Sequence, residues 1–208
     1  TTMCDNDLLE KEVGHSIRLA VAHIDTAMTD LTPVRIHILD TPGYPDYLGQ
    51  DMSALDAVKS VCAVIDPTKG PELLTRRLMA MAKERGLCRM IVINHMDDPE
   101  ADLEKCLREL QETWGPGVLP INLPTRNRTH VIDCFDREDG DSDIMTVDDV
   151  HRAFIERVVE EDDEMLERYL EEGSIDPRAL HPLVTKALRE GHVIPVCFCS
   201  AKKLIGIR

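Results

Sequence analysis

Four apolar runs of strand length, at residues 34–39, 60–65, 90–93 and 193–199, are separated by stretches in which apolar residues recur at helical spacing. Near-continuous apolar runs predict strands buried on both faces. Between them, Leu73, Leu74, Leu78, Met81 and Ala82 lead to Gly86, and Leu103, Leu107, Leu110 and Trp114 lead to Gly115, each a helix with a glycine stop. Strand alternating with helix predicts an α/β fold built on a doubly wound, mostly parallel sheet. Ligands of such sheets bind beyond the carboxyl ends of the strands, so the residues directly after each strand carry the functional information.

From residue 116 onward the pattern changes. Short extended pieces at 118–123 and 130–135 precede an acidic loop at 136–149, which contains Asp139-Gly140-Asp141. This segment reads as a small α+β insert on the sheet. A long helical stretch at about 147–172, a second helix near 177–190 and the last strand follow. The expected division is therefore 1–115, an insert at 116–175, and 176–208 as the closing helix and strand of the main domain.

Charge and cysteine usage exclude several functions. With 24 Lys and Arg against 39 Asp and Glu, the net charge is −15, which opposes a broad face gripping phosphate backbones. No apolar run is long enough to span a membrane. The seven cysteines are an odd number without CxxC spacing and read as reduced, packed thiols in a cytoplasmic protein. The histidines form no zinc signature. A chain opening at Thr1 and stopping just after an apolar run is expected to be a piece of a longer one without an export signal.

Three strands are followed by residues suited to a nucleotide. Asp40-Thr41-Pro42-Gly43 comes first: a strand-end Asp can hold Mg²⁺ through water, and the glycine lets a backbone N–H approach a terminal phosphate. Asn94-His95-Met96-Asp97 comes next, where the Asp97 carboxylate can accept from both the ring N–H and the exocyclic amine of guanine, and Asn94 braces the loop. After the last strand, Ser200-Ala201-Lys202 offers small residues whose backbone N–H groups can reach the guanine carbonyl.

On these motifs, taken in order along one sheet, the chain resembles the GTPase domain of translational GTPases, closest to bacterial elongation factor G and its paralogues. The resemblance covers almost the whole chain. It implies GTP as substrate and Mg²⁺ as its partner ion, with Asp40, Thr41, Pro42 and Gly43 sensing phosphate and magnesium. It further implies that Asn94, His95, Asp97, Ser200, Ala201 and Lys202 contact the base. The Val13-Gly14-His15-Ser16-Ile17 segment lines up with the family's magnesium-binding switch, which gives Ser16 and Asp40 the metal role. Residues 119–124 and 158–173 are similar to the insert of elongation factor G, whose acidic helix meets the ribosomal stalk protein. Here Glu160, Glu161, Glu164, Glu167, Glu171 and Glu172 would supply that ribosome contact, the other reading being a solvated helix face.

Departures from the family qualify the activity. No glycine here is followed by lysine, so the family's phosphate loop is not among the 208 residues; the family would place it upstream of Thr1 with a central strand, and the chain by itself is expected to bind GTP poorly. Tyr44 stands where elongation factors carry a water-orienting His, and His95 where they carry a Lys. A phenol can hydrogen-bond a water but cannot supply imidazolium charge at neutral pH. Two readings follow: a GTP hydrolase serving a ribosomal step with Tyr44 as catalytic residue, or a nucleotide-impaired, GTPase-like paralogue acting as an interaction module. Another translation GTPase, such as a release factor or ribosomal-protection protein, is a third.

Overall fold

The computed structural model describes residues 4, 7–27, 32–135, 140–173, 175 and 177–207, so residues 136–139 of the acidic loop lie outside the described residues. The chain divides into two compact units, residues 1–59 and 60–208.

In the first unit, helix α1 (Leu8–Val13) is followed by strands β1 (Ala20–Ala27) and β2 (Pro33–Asp40). A 3₁₀ turn at Pro45–Tyr47 then leads into helix α2 (Leu48–Leu55). Asp7 caps α1 by accepting from Leu9 N–H, while Glu10 reaches back to Asp7 N–H, a reciprocal capping box. β1 and β2 pair antiparallel with Ile24 opposite Ile36, and both are largely exposed. Here the structure corrects the sequence reading. Among the described residues the apolar run at 34–39 is neither buried on both faces nor parallel-paired, and its partner β1 carries too weak an alternation (Ala20, Ala22, Thr26) to be recognised.

The second unit holds a four-stranded parallel sheet in the order β3-β4-β8-β5. Its strands are β3 (Ser60–Ile65), β4 (Cys88–Ile93), β5 (Val118–Pro120) and β8 (Ile194–Phe198). Helices α3 (Leu73–Glu84) and α4 (Leu103–Trp114) pack on one face, where Ile65, Ile91, Ile93, Ile194, Val196 and Phe198 are fully buried with Met79, Leu107 and Leu110. Helices α5 (Val147–Val159) and α7 (Pro177–Glu190) cover the other around Leu119, Phe154, Val158, Leu180 and Ala187. This is the expected doubly wound architecture. Burial is nevertheless uneven, since β3 is a sheet edge among the described residues and its Val64 is 63% exposed.

A two-stranded antiparallel ribbon, β6 (Asn122–Pro124) with β7 (Val131–Asp133), extends from the sheet. The side chain of Asn122 anchors it, accepting from Phe198 N–H at 2.7 Å and donating to Phe198 O at 3.2 Å. Residues 118–120, within the segment expected as an insert, form the edge strand of the main sheet. Gly117 makes that possible, because a Cβ there would sit 2.1 Å from His192 O.

The helical stretch expected at 147–172 is two helices. α5 ends at Val159, and Asp162 starts α6 (Asp163–Glu172) by accepting from Met165 N–H at 3.0 Å. An aspartate competes with helix continuation by capping the next turn, so the acidic run itself supplies the break. Glu161 at this corner is not a surface acid: its side chain is only 5% exposed and lies 2.5 Å from His192 Nδ1 and 3.5 Å from Lys186 Nζ.

Asp51, on α2, is 2% exposed with neither carboxylate oxygen in a hydrogen bond of good geometry. Burial pushes its pKa up, partly opposed by the Thr41 hydroxyl nearby. A carboxylic acid with a raised folded pKa leaves stability intact below its unfolded pKa and lowers it as pH rises through the folded value. Asp51→Leu should therefore raise unfolding free energy at pH 7 by about 1–3 kcal/mol and flatten that pH slope, as read from thermal unfolding between pH 4 and 8. A variant less stable than the parent at pH 7 would show that Asp51 has a stabilising partner.

Candidate functional site

Parallel pairing aligns the carboxyl ends of β4 and β8. Cys199 N–H donates to Ile93 O at 2.9 Å, and Met96 N–H returns a bond to Cys199 O at 3.1 Å. The loops 94–98 and 199–205 therefore leave the sheet side by side. Asn94 ties them together, its Oδ1 accepting from Ala201 N–H at 2.9 Å. Met96 is fully buried and anchors the first loop from below, while its neighbours His95 and Asp97 remain accessible. His95 adopts φ +60°, a left-handed conformation that turns the chain sharply between Asn94 and Asp97.

The second loop folds back through paired bonds between Ser200 and Ile205. Gly206 is required here, with φ +69° and with its missing Cβ only 2.5 Å from Phe198 O. Ser200 is 1% exposed, and Ala201 and Lys202 lie on the open side. Beside the expected base-contact loop Ser200-Ala201-Lys202, the sequence reading does not single out Lys203, whose Nζ lies 2.9 Å from the Asp97 carboxylate. Two adjacent lysines give no signal of which turns inward. The Lys203 ammonium, aided by the Ser200 hydroxyl, holds the Asp97 carboxyl down at about 2. Asp97 is thus a committed acceptor at neutral pH.

In the first unit, the segment bearing Ser16 and the segment bearing Asp40, Thr41, Pro42, Gly43 and Tyr44 are brought together by residues that the sequence reading misses. The buried Glu10 accepts from Ile17 N–H at 2.9 Å and Arg18 N–H at 3.0 Å. Gln50, on α2, accepts from Leu19 N–H at 2.6 Å and donates to Ile17 O at 2.9 Å. The Tyr44 ring, about half exposed, meets the His15 ring with centroids 4.3 Å apart. A local capping signal at Asp7 and Glu10 is legible in principle; the reach of Glu10 to Ile17 is not. Ser16 and Asp40 offer a hydroxyl and a carboxylate, hard oxygen donors of the kind magnesium takes. A Cβ on Gly43 would meet no described atom within 4 Å, so packing does not require glycine there.

Elsewhere among the described residues, Glu161, Glu190 and His192 bring ligand-type atoms within 4.8 Å of one another. Lys186 already balances Glu161, so the group acts as a polar lock: an ion pair from Lys186 and a hydrogen bond with His192 join the α5–α6 corner to α7 and the residues before β8. Cys62, Cys88, Cys106, Cys134, Cys197 and Cys199 are free thiols. Burial pushes Cys106 and Cys134 up to about 12 and Cys197 to about 11, which makes them poor nucleophiles. Among the described residues no helix is long and apolar enough to cross a membrane.

Comparison with known proteins gives a consistent picture. A family model described as the elongation factor Tu GTP binding domain matches residues 1–208. An elongation factor G-like protein of Thermotoga maritima is 26% identical over 100% of this chain and 31% of its own length. One from Mycobacterium tuberculosis is 30% identical over 95% of this chain and 29% of its own. A mitochondrial ribosome-releasing factor 2 of Drosophila melanogaster is 28% identical over 97% of this chain and 30% of its own. A crystal structure of a Thermus thermophilus protein superposes with a TM-score of 0.84 at 28% identity, over 100% of this chain and 33% of that one. The chain thus spans about a third or less of the length of the relatives it matches.

The Asp97–Lys203 pair makes a direct prediction. Lys203→Met should let the Asp97 carboxyl rise from about 2 toward the ordinary aspartate range near 4, followed by NMR titration of its side-chain carbon. Because a depressed carboxyl stabilises above its unfolded pKa and loses that contribution as pH falls through its folded one, the variant should also lose less stability between pH 4 and 2. An Asp97 carboxyl still at about 2 without Lys203 would assign the depression to other groups.

Proposed function

The chain belongs to the elongation factor Tu GTP binding domain family, and from that premise we propose that it is the guanine-nucleotide domain of a longer, elongation factor G-like GTPase that couples GTP hydrolysis to a ribosomal step. The observation that carries this reading is the pairing of loops at the ends of β4 and β8. Asn94 fastens the second loop through Ala201 N–H, leaving Asp97 as an ionised acceptor beside Ser200 and Ala201. An ionised carboxylate accepts from the two donors on guanine, N1–H and the 2-amino group, a pair that adenine does not present. Lys203 holds the place of those donors and moves aside for the base.

In this reading Asp40 and Gly43 face the terminal phosphate, and Ser16 with Asp40 would hold Mg²⁺, which neutralises phosphate charge during transfer. Catalysis of phosphoryl transfer is mostly positioning and electrostatics, and Tyr44 is the residue proposed to orient the attacking water. Its contact with the His15 ring restrains that position. Helix α6 is turned toward the ribosomal stalk protein through Glu164, Glu167, Glu171 and Glu172. Glu161 is withdrawn from this surface because its carboxylate is engaged inside the unit. Such an acidic face would steer association over a Debye length of about 8 Å at physiological ionic strength.

A second reading, a nucleotide-impaired paralogue serving as an interaction module, is favoured by Tyr44 packed on His15 and by His95 in place of a long cation. Ribosome-stimulated GTP turnover by the whole protein separates the two. Tyr44→His should raise that turnover under the first reading and leave it at background under the second.

The base-reading assignment has its own test. In the whole protein, Asp97→Asn should lower affinity for GTP and raise it for XTP, because the asparagine amide offers a donor to the extra xanthine carbonyl. An unchanged GTP:XTP ratio in a folded variant would remove Asp97, and Asn94 with it, from base reading.

A further inference from the structure

The backbone of the loop that carries Asp97 is held from outside by Arg128. Arg128, in the turn between β6 and β7, donates from Nη1 to Asp98 O at 2.7 Å and to Met96 O at 3.4 Å, and from Nη2 to Ala101 O at 3.1 Å. Met96 and Asp98 flank Asp97, so one guanidinium holds the carbonyls on both sides of the base-reading carboxylate. Only arginine offers several N–H donors in a rigid planar fork; a lysine ammonium is a single point on a flexible stem.

The turn is built to deliver that fork. Arg128 sits at φ +55°, an uncommon conformation for a residue with a side chain, and its N–H donates to Thr125 O at 2.7 Å. Thr125 N–H donates to His130 O at 3.0 Å, and the Thr125 and Thr129 hydroxyls both donate to Asn127 Oδ1. The ribbon bearing the turn is itself clamped to β8 through Asn122 and Phe198. A rigid path therefore runs from β8 through the ribbon to Arg128 and on to the peptide groups around Asp97.

We infer that Arg128 is a positioning residue for guanine selectivity: by fixing both carbonyls beside Asp97 it aims the carboxylate so that it meets N1–H and the 2-amino group together. This rests on the base-reading role proposed above for Asp97. Without Arg128 three loop carbonyls lose a charged donor, the loop relaxes, and the second of the two bonds to the base is lost first because it has the stricter geometry.

The measurement compares GDP with IDP in the whole protein, since hypoxanthine keeps N1–H but lacks the 2-amino group. Arg128→Ala should lower the GDP:IDP affinity ratio by about fivefold or more, a change of about 1 kcal/mol in selectivity. Arg126→Ala, on the same turn but exposed and paired with Asp141, should keep the parent ratio. Arg128→Lys, retaining charge without the fork, should fall between. A purely structural Arg128 would lower the melting temperature and leave the ratio unchanged, and that result in a folded Arg128→Ala protein overturns the inference. Should the alanine variant not fold, a parent-like ratio in Arg128→Lys overturns it equally. If Asp97→Asn also leaves base preference unchanged, the base-reading assignment fails first; if Asp97→Asn behaves as expected and Arg128 does not, only the positioning role fails.

Discussion

Parallel pairing of β4 with β8 is the constraint on which the proposed base-reading half of the site depends. The bond from Cys199 N–H to Ile93 O brings two strand ends, more than a hundred residues apart in sequence, side by side at the carboxyl end of the sheet. Everything chemical follows from that coincidence: Asn94 can reach Ala201, Asp97 can reach Lys203, and Met96 can fill the space beneath. The sheet is held in turn by a core in which Ile91, Ile93, Val196 and Phe198 are completely buried. A register shift of one residue would turn those apolar side chains outward and disperse the loops at once.

The first unit solves a different problem. Its strands are exposed, and the loops around Ser16 and Asp40 are organised by polar side chains rather than by a core. Glu10 and Gln50 satisfy backbone groups of residues 17–19, which would otherwise need water or a strand partner. Hydrogen bonds at partly exposed positions contribute little net stability, about 0.5–1.5 kcal/mol each. In the reading proposed above, the first unit carries the segments that face phosphate and magnesium, and the second, with its buried core, carries the base-reading loops.

What the sequence makes legible follows from physical range. The strands at 60–65, 90–93 and 193–199 and the helices ending at Gly86 and Gly115 announce themselves because apolar periodicity is local and strong. The motifs after the strands are legible because strand ends define where chemistry occurs in this architecture. β1 escapes because exposed strands need not be apolar. The division of α5 from α6 escapes because Asp162 reads as one more acid in an acidic run until its cap to Met165 is seen. Arg128 and Lys203 escape for a deeper reason: each acts across the fold, Arg128 on residues about thirty positions earlier in the chain, and no local pattern marks an arginine whose partners are backbone carbonyls.

The central claim is that the loops after β4 and β8 form a preassembled, guanine-specific half-site. Backbone amide chemical shifts of the protein titrated with GDP and, separately, with ADP at equal millimolar concentration test it most directly. The account predicts that GDP shifts the amides of Asn94 to Asp98 and of Ser200 to Leu204, and that ADP leaves them in place. Equal shifts with both nucleotides, or GDP-induced shifts confined to other parts of the chain, would contradict it.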